Sequence, residues 1–221
     1  MMTHIDLSHM ITNGMVTYPG LPAPVIGTHL SREAAADLYA PGVTFQIGQI
    51  EICTNTGTYL DVPFHRYEDG HDLTGLPLER VAGVPAVCLD RSGGGRSGGV
   101  AISLSEDDVS GCSGKAVLIR TDHSTHWGSE RYFSGHPHLT KASAELLVAA
   151  GVACVGIDTF NIYDTVGDDR PVHTVLLGAE IPIIEHMTNL DQLPADGFTF
   201  TAVPPKIEGA GTFTVRAFAT V

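Results

Sequence analysis

The chain has 221 residues, 43% of them hydrophobic, and a formal net charge of −13 at pH 7. That length fits one domain and allows roughly 70% of the unfolded chain's surface to be buried. The charge excludes the basic stripe of a nucleic-acid binder and opposes an anionic membrane surface, and no apolar run approaches the ~18 residues of a membrane span. The start, Met1 to Leu7, lacks the basic and apolar regions of a secretory signal, so a cytoplasmic protein is expected. Cys53, Cys88, Cys112 and Cys154 form no CxxC pair and read as buried, reduced thiols.

In chain order, residues 4–11 read as a strand. Residues 14–26 are punctuated by Gly14, Pro19, Gly20, Pro22 and Pro24 and are extended and turning. Residues 29–42 hold an Ala-rich stretch, a short helix or a loop, ended by Pro41-Gly42. Residues 43–55 alternate and are β-branched, which predicts a strand. A second strand falls within 80–90. The run RSGGGRSGGV, residues 91–100, is a flexible loop without the Gly-Lys-Ser/Thr ending of a phosphate-binding loop. Ser105 and Asp108 stand at capping-box spacing before a short helix. Residues 115–122 form a continuous apolar run, as in a strand buried on both faces.

The strongest helix spans 139–151. Thr140 is its N-cap, Gly151 its stop, and Leu139, Ala142, Leu146 and Leu147 its apolar stripe. A buried strand follows at 152–158. Strand, helix and strand in succession predict a right-handed crossover in a partly parallel sheet. Residues 181–187 form another buried strand, and 197–205 with 211–221 a closing antiparallel pair. The expectation is one compact α/β domain over 1–221, a mixed β-sheet with flanking helices.

Three polar clusters end or follow strands: Asn55, Tyr59, Asp61 and His65; then Asp158 to Asp164; then His173 and Glu185. Binding residues in α/β folds gather at strand ends. Singly, Asp61 fits a turn cap, His65 an exposed loop and His173 a helix start. Glu185 is different, because it lies in an otherwise apolar strand, where a carboxylate must be paired or bind a metal. Residues 121–139 carry His123, His126, His136 and His138 and read as a loop that lines a pocket through Trp127 or Tyr132. His9, Tyr18, Phe45 and Phe160 are further pocket candidates.

Residues 55–65, Asn-Thr-Gly-Thr-Tyr-Leu-Asp-Val-Pro-Phe-His, resemble the motif His-x-Gly-Thr-His-x-Asp-x-Pro-x-His of the cyclase family of metal-dependent hydrolases. That family includes bacterial kynurenine formamidases and isatin hydrolases. Five of seven defined positions match, and Asn55 and Tyr59 replace two imidazoles. Family-like segments follow in family order at 6–20, 156–164 and 173–193. The resemblance implies a swivelling β/β/α arrangement and homo-oligomers, dimers or tetramers, in which neighbours lend loops to the site. It also implies Asp61, His173 and Glu185 as metal ligands and His65 as the acid and base.

An Asn amide and a neutral phenol are weak ligands, so of the two metal positions the resemblance implies, the first is expected to be empty or much weakened, while the second keeps Asp61, His173 and Glu185. One divalent ion, Zn²⁺ or Mn²⁺, and no ion at all are both open. The expected function is hydrolysis of a C–N amide or cyclic amide or ester bond in a small aromatic or cyclic substrate. His65 and Asp61 would act there with Tyr59 as an oxyanion donor, and Asn55, Tyr18, Trp127 and Phe160 would contact the substrate. The alternatives are metal-independent acid–base chemistry (ring closure, dehydration or lactone chemistry) and a non-catalytic small-molecule binder.

Overall fold

The structure is a computed structural model that describes residues 2–93 and 101–221. Most of the glycine-rich loop expected at 91–100 lies outside the described residues. Strand β1 (His4–Asp6) precedes a hairpin of β2 (Val25–Leu30) and β3 (Ile47–Glu51), with helix α1 (Arg32–Ala36) between its strands. Then come β4 (Tyr59–Asp61), β5 (Val84–Asp90), β6 (Ala101–Ile102), α2 (Glu106–Val109), β7 (Ala116–Arg120) and β8 (His138–Leu139). Helix α3 (Lys141–Ala150), β9 (Cys154–Ile157), α4 (Pro171–Gly178) and β10 (Ile183–Glu185) follow, then β11 (Phe198–Thr201), β12 (Thr212–Thr214) and β13 (Phe218–Thr220). No helix among the described residues is long and apolar enough to cross a membrane.

Nine strands form one mixed sheet in the order β1-β13-β11-β5-β7-β9-β10-β4-β12. Its centre, β5, β7, β9 and β10, is parallel, and the flanking pairings are antiparallel. Parallel neighbours need crossovers, and α2, α3 and α4 occupy the three connections. Helix α3 has the expected caps, Thr140 accepting from the Ser143 amide and Gly151 in the left-handed region at φ 68°. The capping box of Ser105 and Asp108 is also present on α2. The apolar stripe of α3 differs from expectation. Ala142 is exposed, and the helix buries Ser143, Ala144 and Leu147 instead. Ser143 suits that place because its hydroxyl donates to the Ile102 carbonyl and accepts from the Leu104 amide.

The C-terminal segment forces the sheet to curl. The expected closing pair is only partly formed: β13 pairs with β11, but β12 pairs with β4 at the far edge. From Thr214 to Phe218 the chain spans at most about 14 Å. In a flat sheet the seven spacings between β12 and β13 would cover about 34 Å. The edges therefore approach each other, and Leu7 takes part on both sides: its amide donates to the Ala217 carbonyl and its carbonyl accepts from the Thr188 amide. Ser8 and Met187 add an antiparallel bridge across the closure.

Strand alternation divides the core in two. Leu60, Leu118, Cys154, Ile184 and Phe200 fill the inside of the curl. Val117, Ile119, Val155, Leu147 and Leu176 pack between the outer face and the helices. Leu60 and Ile184 point inward, so Tyr59, Asp61 and Glu185 point outward, towards α4. The strand expected at 43–55 is shorter than predicted and stays out of the main sheet. It pairs only with β2, and the hairpin leaves Val25 57% and Ile50 61% exposed.

The residue before β12, Gly211, has no room for a side chain: a Cβ there would stand 2.7 Å from His65 Cα and 2.8 Å from the Phe64 carbonyl carbon. Both are backbone atoms that cannot rotate away. Gly211→Ala is expected to cost about 2–3 kcal/mol of stability, read as a lower urea midpoint at unchanged slope. A midpoint equal to the parent's would show that β12 is not packed this tightly.

Candidate active site

The motif loop is held by its own residues. Gly57 lies at φ 67°, where an L side chain is strained, and a Cβ would also meet Ile11. The Thr58 hydroxyl donates to the His186 carbonyl at 2.6 Å and accepts from the His9 amide at 3.0 Å. It thereby ties the start of β4 to the end of β10. After β4, Pro63 opens a single 3₁₀ turn, Pro63–His65, that returns His65 to the side of Asp61.

Strands β4 and β10 pair antiparallel with Tyr59 opposite Glu185 and Asp61 opposite Ile183. Helix α4 brings His173 over them. The His173 Nε2 lies 3.5 Å from Glu185 Oε1 and 3.9 Å from Asp61 Oδ2, and all three residues are buried. Burial pushes the Asp61 carboxyl up, and the Glu185 charge adds to this against the pull of His65, His173 and Thr212. Burial also opposes ionisation of His173 and Glu185. Their mutual hydrogen bond and charge prevail, raising His173 and holding Glu185 well below the usual carboxylate range.

This donor set fits a divalent cation. The three ligand atoms lie within 4.8 Å of one another. An ion about 2.1 Å from each donor in tetrahedral geometry separates the donors by about 3.4 Å, close to the two distances to His173. Asp61 Oδ2 is buried with no hydrogen-bond partner among the described residues, a state that costs free energy unless a cation or proton fills it. Two carboxylates and one imidazole suit Zn²⁺ or Mn²⁺. The outer support is incomplete at one atom, because His173 Nδ1 is buried without an acceptor among the described residues.

Tyr59 is a hydrogen-bond donor here. Its hydroxyl donates to Glu185 Oε2 at 2.6 Å, while the Ile162 amide donates to Oε1 at 2.6 Å. Burial, with the charges of Glu185 and Asp61, drives the phenol's pKa well above 10, so it stays neutral. The single proton that the sequence reading offers to an oxyanion is directed at Glu185. Asn55 lines the pocket beside Tyr59, with its Oδ1 accepting from the Thr54 hydroxyl.

Thr212 gives no signal in the sequence, because nothing in a strand threonine near the C-terminus points to a site. Its hydroxyl donates to Asp61 Oδ1 and lies 2.8 Å from His65 Nδ1. A hydroxyl has one proton. With that proton on the Asp61 carboxylate, Thr212 accepts from His65 Nδ1–H. The neutral imidazole then carries its lone pair on Nε2.

A pocket of about 280 Å³ opens over these groups, lined by Tyr18, Asn55, Tyr59, His65, His173 and Glu185 with Leu21, Arg66, Asn161 and Arg170. The sequence clusters thus converge, except that Asp158 is occupied elsewhere, accepting from Thr121 and the Asp122 amide. Trp127 is not among the lining residues. It stacks on His9 at 3.9 Å and meets Tyr132 and His186 edge-on. Tyr132 is likewise turned inward, its hydroxyl 3.0 Å from His186 Nδ1. Phe160 is buried and reaches the pocket only through Tyr18, its ring 4.6 Å away. Phe45 packs on Tyr39 outside the site. Arg66 and Arg170 were not foreseen; their only mark in the sequence is that each adjoins a site residue or its helix.

A curled α/β sheet with a buried Asp-His-Glu cluster under a helix is thus a candidate metal-assisted site. The family model described as "Putative cyclase" matches residues 5–163, and the chain belongs to the cyclase family. It is similar to the kynurenine formamidase of Bacillus cereus, 27% identical over 213 residues, covering 96% of this chain and 95% of that protein. A kynurenine formamidase of Salinibacter ruber is 26% identical, over 98% of this chain and 96% of that protein. Among solved structures, isatin hydrolase A of Labrenzia aggregata matches all of this chain and 94% of its own, with a TM-score of 0.82 at 24% identity. A structure described as a potential metal-dependent hydrolase with cyclase activity matches with a TM-score of 0.78 at 23% identity, over 100% and 98% of the two chains. These likenesses show the fold.

Proposed function

We propose that this chain hydrolyses a C–N amide or cyclic amide or ester bond in a small aromatic or cyclic substrate, with one divalent cation held by Asp61, His173 and Glu185. The observation that carries this reading is the unpartnered, buried Asp61 Oδ2 beside His173 and Glu185. The kinship with kynurenine formamidases and isatin hydrolases supports the reaction class. A bound cation would supply Lewis acidity to a carbonyl or lower the pKa of water.

The chain's own residues do the rest. His65 lines the pocket with its side chain 37% exposed. Its Nε2, which carries the lone pair when Nδ1–H donates to Thr212, takes a proton from the attacking water and returns it to the leaving group. Tyr59 and the Ile162 amide fix both oxygens of Glu185. Asn55, Tyr18 and Asn161 offer polar contacts to the substrate. The metal-free alternative, acid–base chemistry led by Asp61 and His65, is favoured by the unsupported His173 Nδ1, since a ligating imidazole normally donates through its second nitrogen.

Metal analysis of protein dialysed against zinc or manganese decides between them. About one ion per chain is expected, lost in His173→Ala and Glu185→Ala. No ion under either condition would remove the cation from the reading and leave the acid–base alternative.

Thr212→Val keeps the size and shape of the side chain while deleting the bridge between Asp61 and His65. A fall in kcat of about 10–100-fold at nearly unchanged KM is expected, with Thr212→Ser recovering most of it. Equal rates in parent and Thr212→Val would show that the hydroxyl does not set His65.

We further propose a homo-oligomer, a dimer or tetramer, built on the β2–β3 hairpin. Val25, Ile26 and Ile50 on its strands and Leu38, Tyr39 and Val43 between them are exposed, a grouping that marks an association surface. Ile26→Lys with Ile50→Lys is expected to yield monomers by light scattering after size exclusion. An unchanged mass would place the interface elsewhere.

A further inference from the structure

The pocket is lined by groups of both charges: Glu185, with Asp61 behind it in the same cluster, and the two arginines Arg66 and Arg170. Cations are scarce here, 12 Lys and Arg against 25 Asp and Glu. Four of them are paired, Arg91 with Asp108, Arg120 with Asp90 and Asp122, Lys141 with Glu145, and Arg216 with Asp6; Arg32, Arg80, Lys115, Arg131 and Lys206, outside the pocket, make no ion pair among the described residues. Among the described residues, neither pocket arginine is in ion-pair contact with a carboxylate. Arg170 lacks one although Asp168 and Asp169 directly precede it.

Arg170 is also held in place. Its Nη1 donates to the carbonyls of Gly167 and Asp169, both at 2.7 Å, just ahead of Pro171 and α4. Those bonds use one corner of the guanidinium. Among the described residues the Nε–Nη2 edge, the edge that grips a carboxylate through two parallel hydrogen bonds, has no backbone or carboxylate acceptor; the Tyr18 hydroxyl is the side-chain group within its reach. Tyr18, which feels the Arg170 charge, stands beside it in the pocket. Arg66 is steadied by Thr174 Oγ1 at 3.2 Å and by the Tyr67 ring, 5.4 Å from its guanidinium carbon to the ring centroid.

We infer that the ligand of this pocket carries a carboxylate, gripped by the Nε–Nη2 edge of Arg170, with Arg66 adding charge. Resting on the hydrolase reading above, the ligand is a substrate whose carboxylate meets Arg170 while its scissile bond meets the Asp61, His173 and Glu185 cluster. A neutral substrate would leave a half-buried guanidinium unpaired. An anion placed the other way round would face Asp61 and Glu185. The volume of about 280 Å³ suits a single-ring acid.

Anthranilate tests binding alone, by calorimetry, on the parent, on Arg170→Gln and on Arg170→Lys. The paired probes 2-formamidobenzoate and formanilide, identical apart from the carboxylate, test turnover. Anthranilate affinity should fall at least tenfold in Arg170→Gln. In Arg170→Lys, which keeps the charge but not the fork, it should fall by less. The preference for 2-formamidobenzoate over formanilide should collapse in the same order, through KM. Thermal melts of both variants show whether the segment 167–170 still folds, and Arg66→Gln, whose side chain holds no backbone carbonyl, gives a weaker loss of anthranilate that does not depend on that segment. Loss of anthranilate binding in Arg170→Gln without cleavage of either formamide by the parent would sink the hydrolase reading and keep the anion subsite. Anthranilate that binds the parent and Arg170→Gln equally, or does not bind the parent, overturns the inference whatever the rates.

Discussion

The site depends on the register between β4 and β10. Tyr59 faces Glu185 across that pair, and Asp61 is two residues further along the same face. A slip of β4 by one residue would send Tyr59 and Asp61 into the apolar inside of the curl, bring Leu60 out, and leave Glu185 without them. The register is fixed on both faces: inward by the burial of Leu60 and Ile184, outward by the Tyr59–Glu185 hydrogen bond, and at the strand ends by Thr58. The chemistry is therefore carried on two short strands whose alignment is over-determined.

That register also explains how the chain tolerates Tyr59 where the family motif has an imidazole. The position directly opposite Glu185 must supply something to a buried carboxylate. A phenol does so as a neutral donor, and burial keeps it neutral. The outcome is a Glu185 with both oxygens fixed before any ligand arrives, and an Asp61 with one oxygen fixed by Thr212 and one free. The two carboxylates are thus unequal. Glu185 is the rigid, strongly acidic partner of His173, and Asp61 is the group whose charge the site leaves least satisfied.

Much of this was legible in the sequence, for reasons that differ residue by residue. Thr140 and Gly151 bound α3 because caps are local chemistry. Glu185 stood out because a carboxylate in IPIIEHM conflicts with its apolar neighbours. Asp61, His65 and His173 were placed by the motif and by order along the chain. Thr212 was not legible, since it comes to Asp61 and His65 only because β12 crosses to the far edge of the sheet. Trp127 was misplaced for a related reason. An aromatic ring in a histidine-rich loop serves equally well to line a pocket or to back one, and only the stacking on His9 decides. The inward stripe of α3 was half missed because Ser143, a polar residue, takes a core position by satisfying the backbone of β6 and the residue beyond it.

The two walls of the pocket differ in kind. The inner wall, Tyr59, His173 and Glu185 with Asp61 behind them, sits on the main sheet and α4 and is buried. Tyr18 and Leu21 form part of the other wall. They belong to the excursion between β1 and β4, which also carries the exposed hairpin and is joined to the body near the pocket by the Thr17 hydroxyl accepting from the Gly57 amide and by the Tyr18 ring against Phe160. Elements with little buried apolar area open at low free-energy cost. The buried, hydrogen-bonded inner wall holds the reacting groups in register, while the hairpin on the same segment as the outer wall leaves much of its apolar surface exposed. The same sparse packing leaves the hairpin's apolar side chains free to be covered by another chain. Were the proposed association to cover Ile26 and Ile50, it would act on the segment that also carries Tyr18 and Leu21 to the pocket.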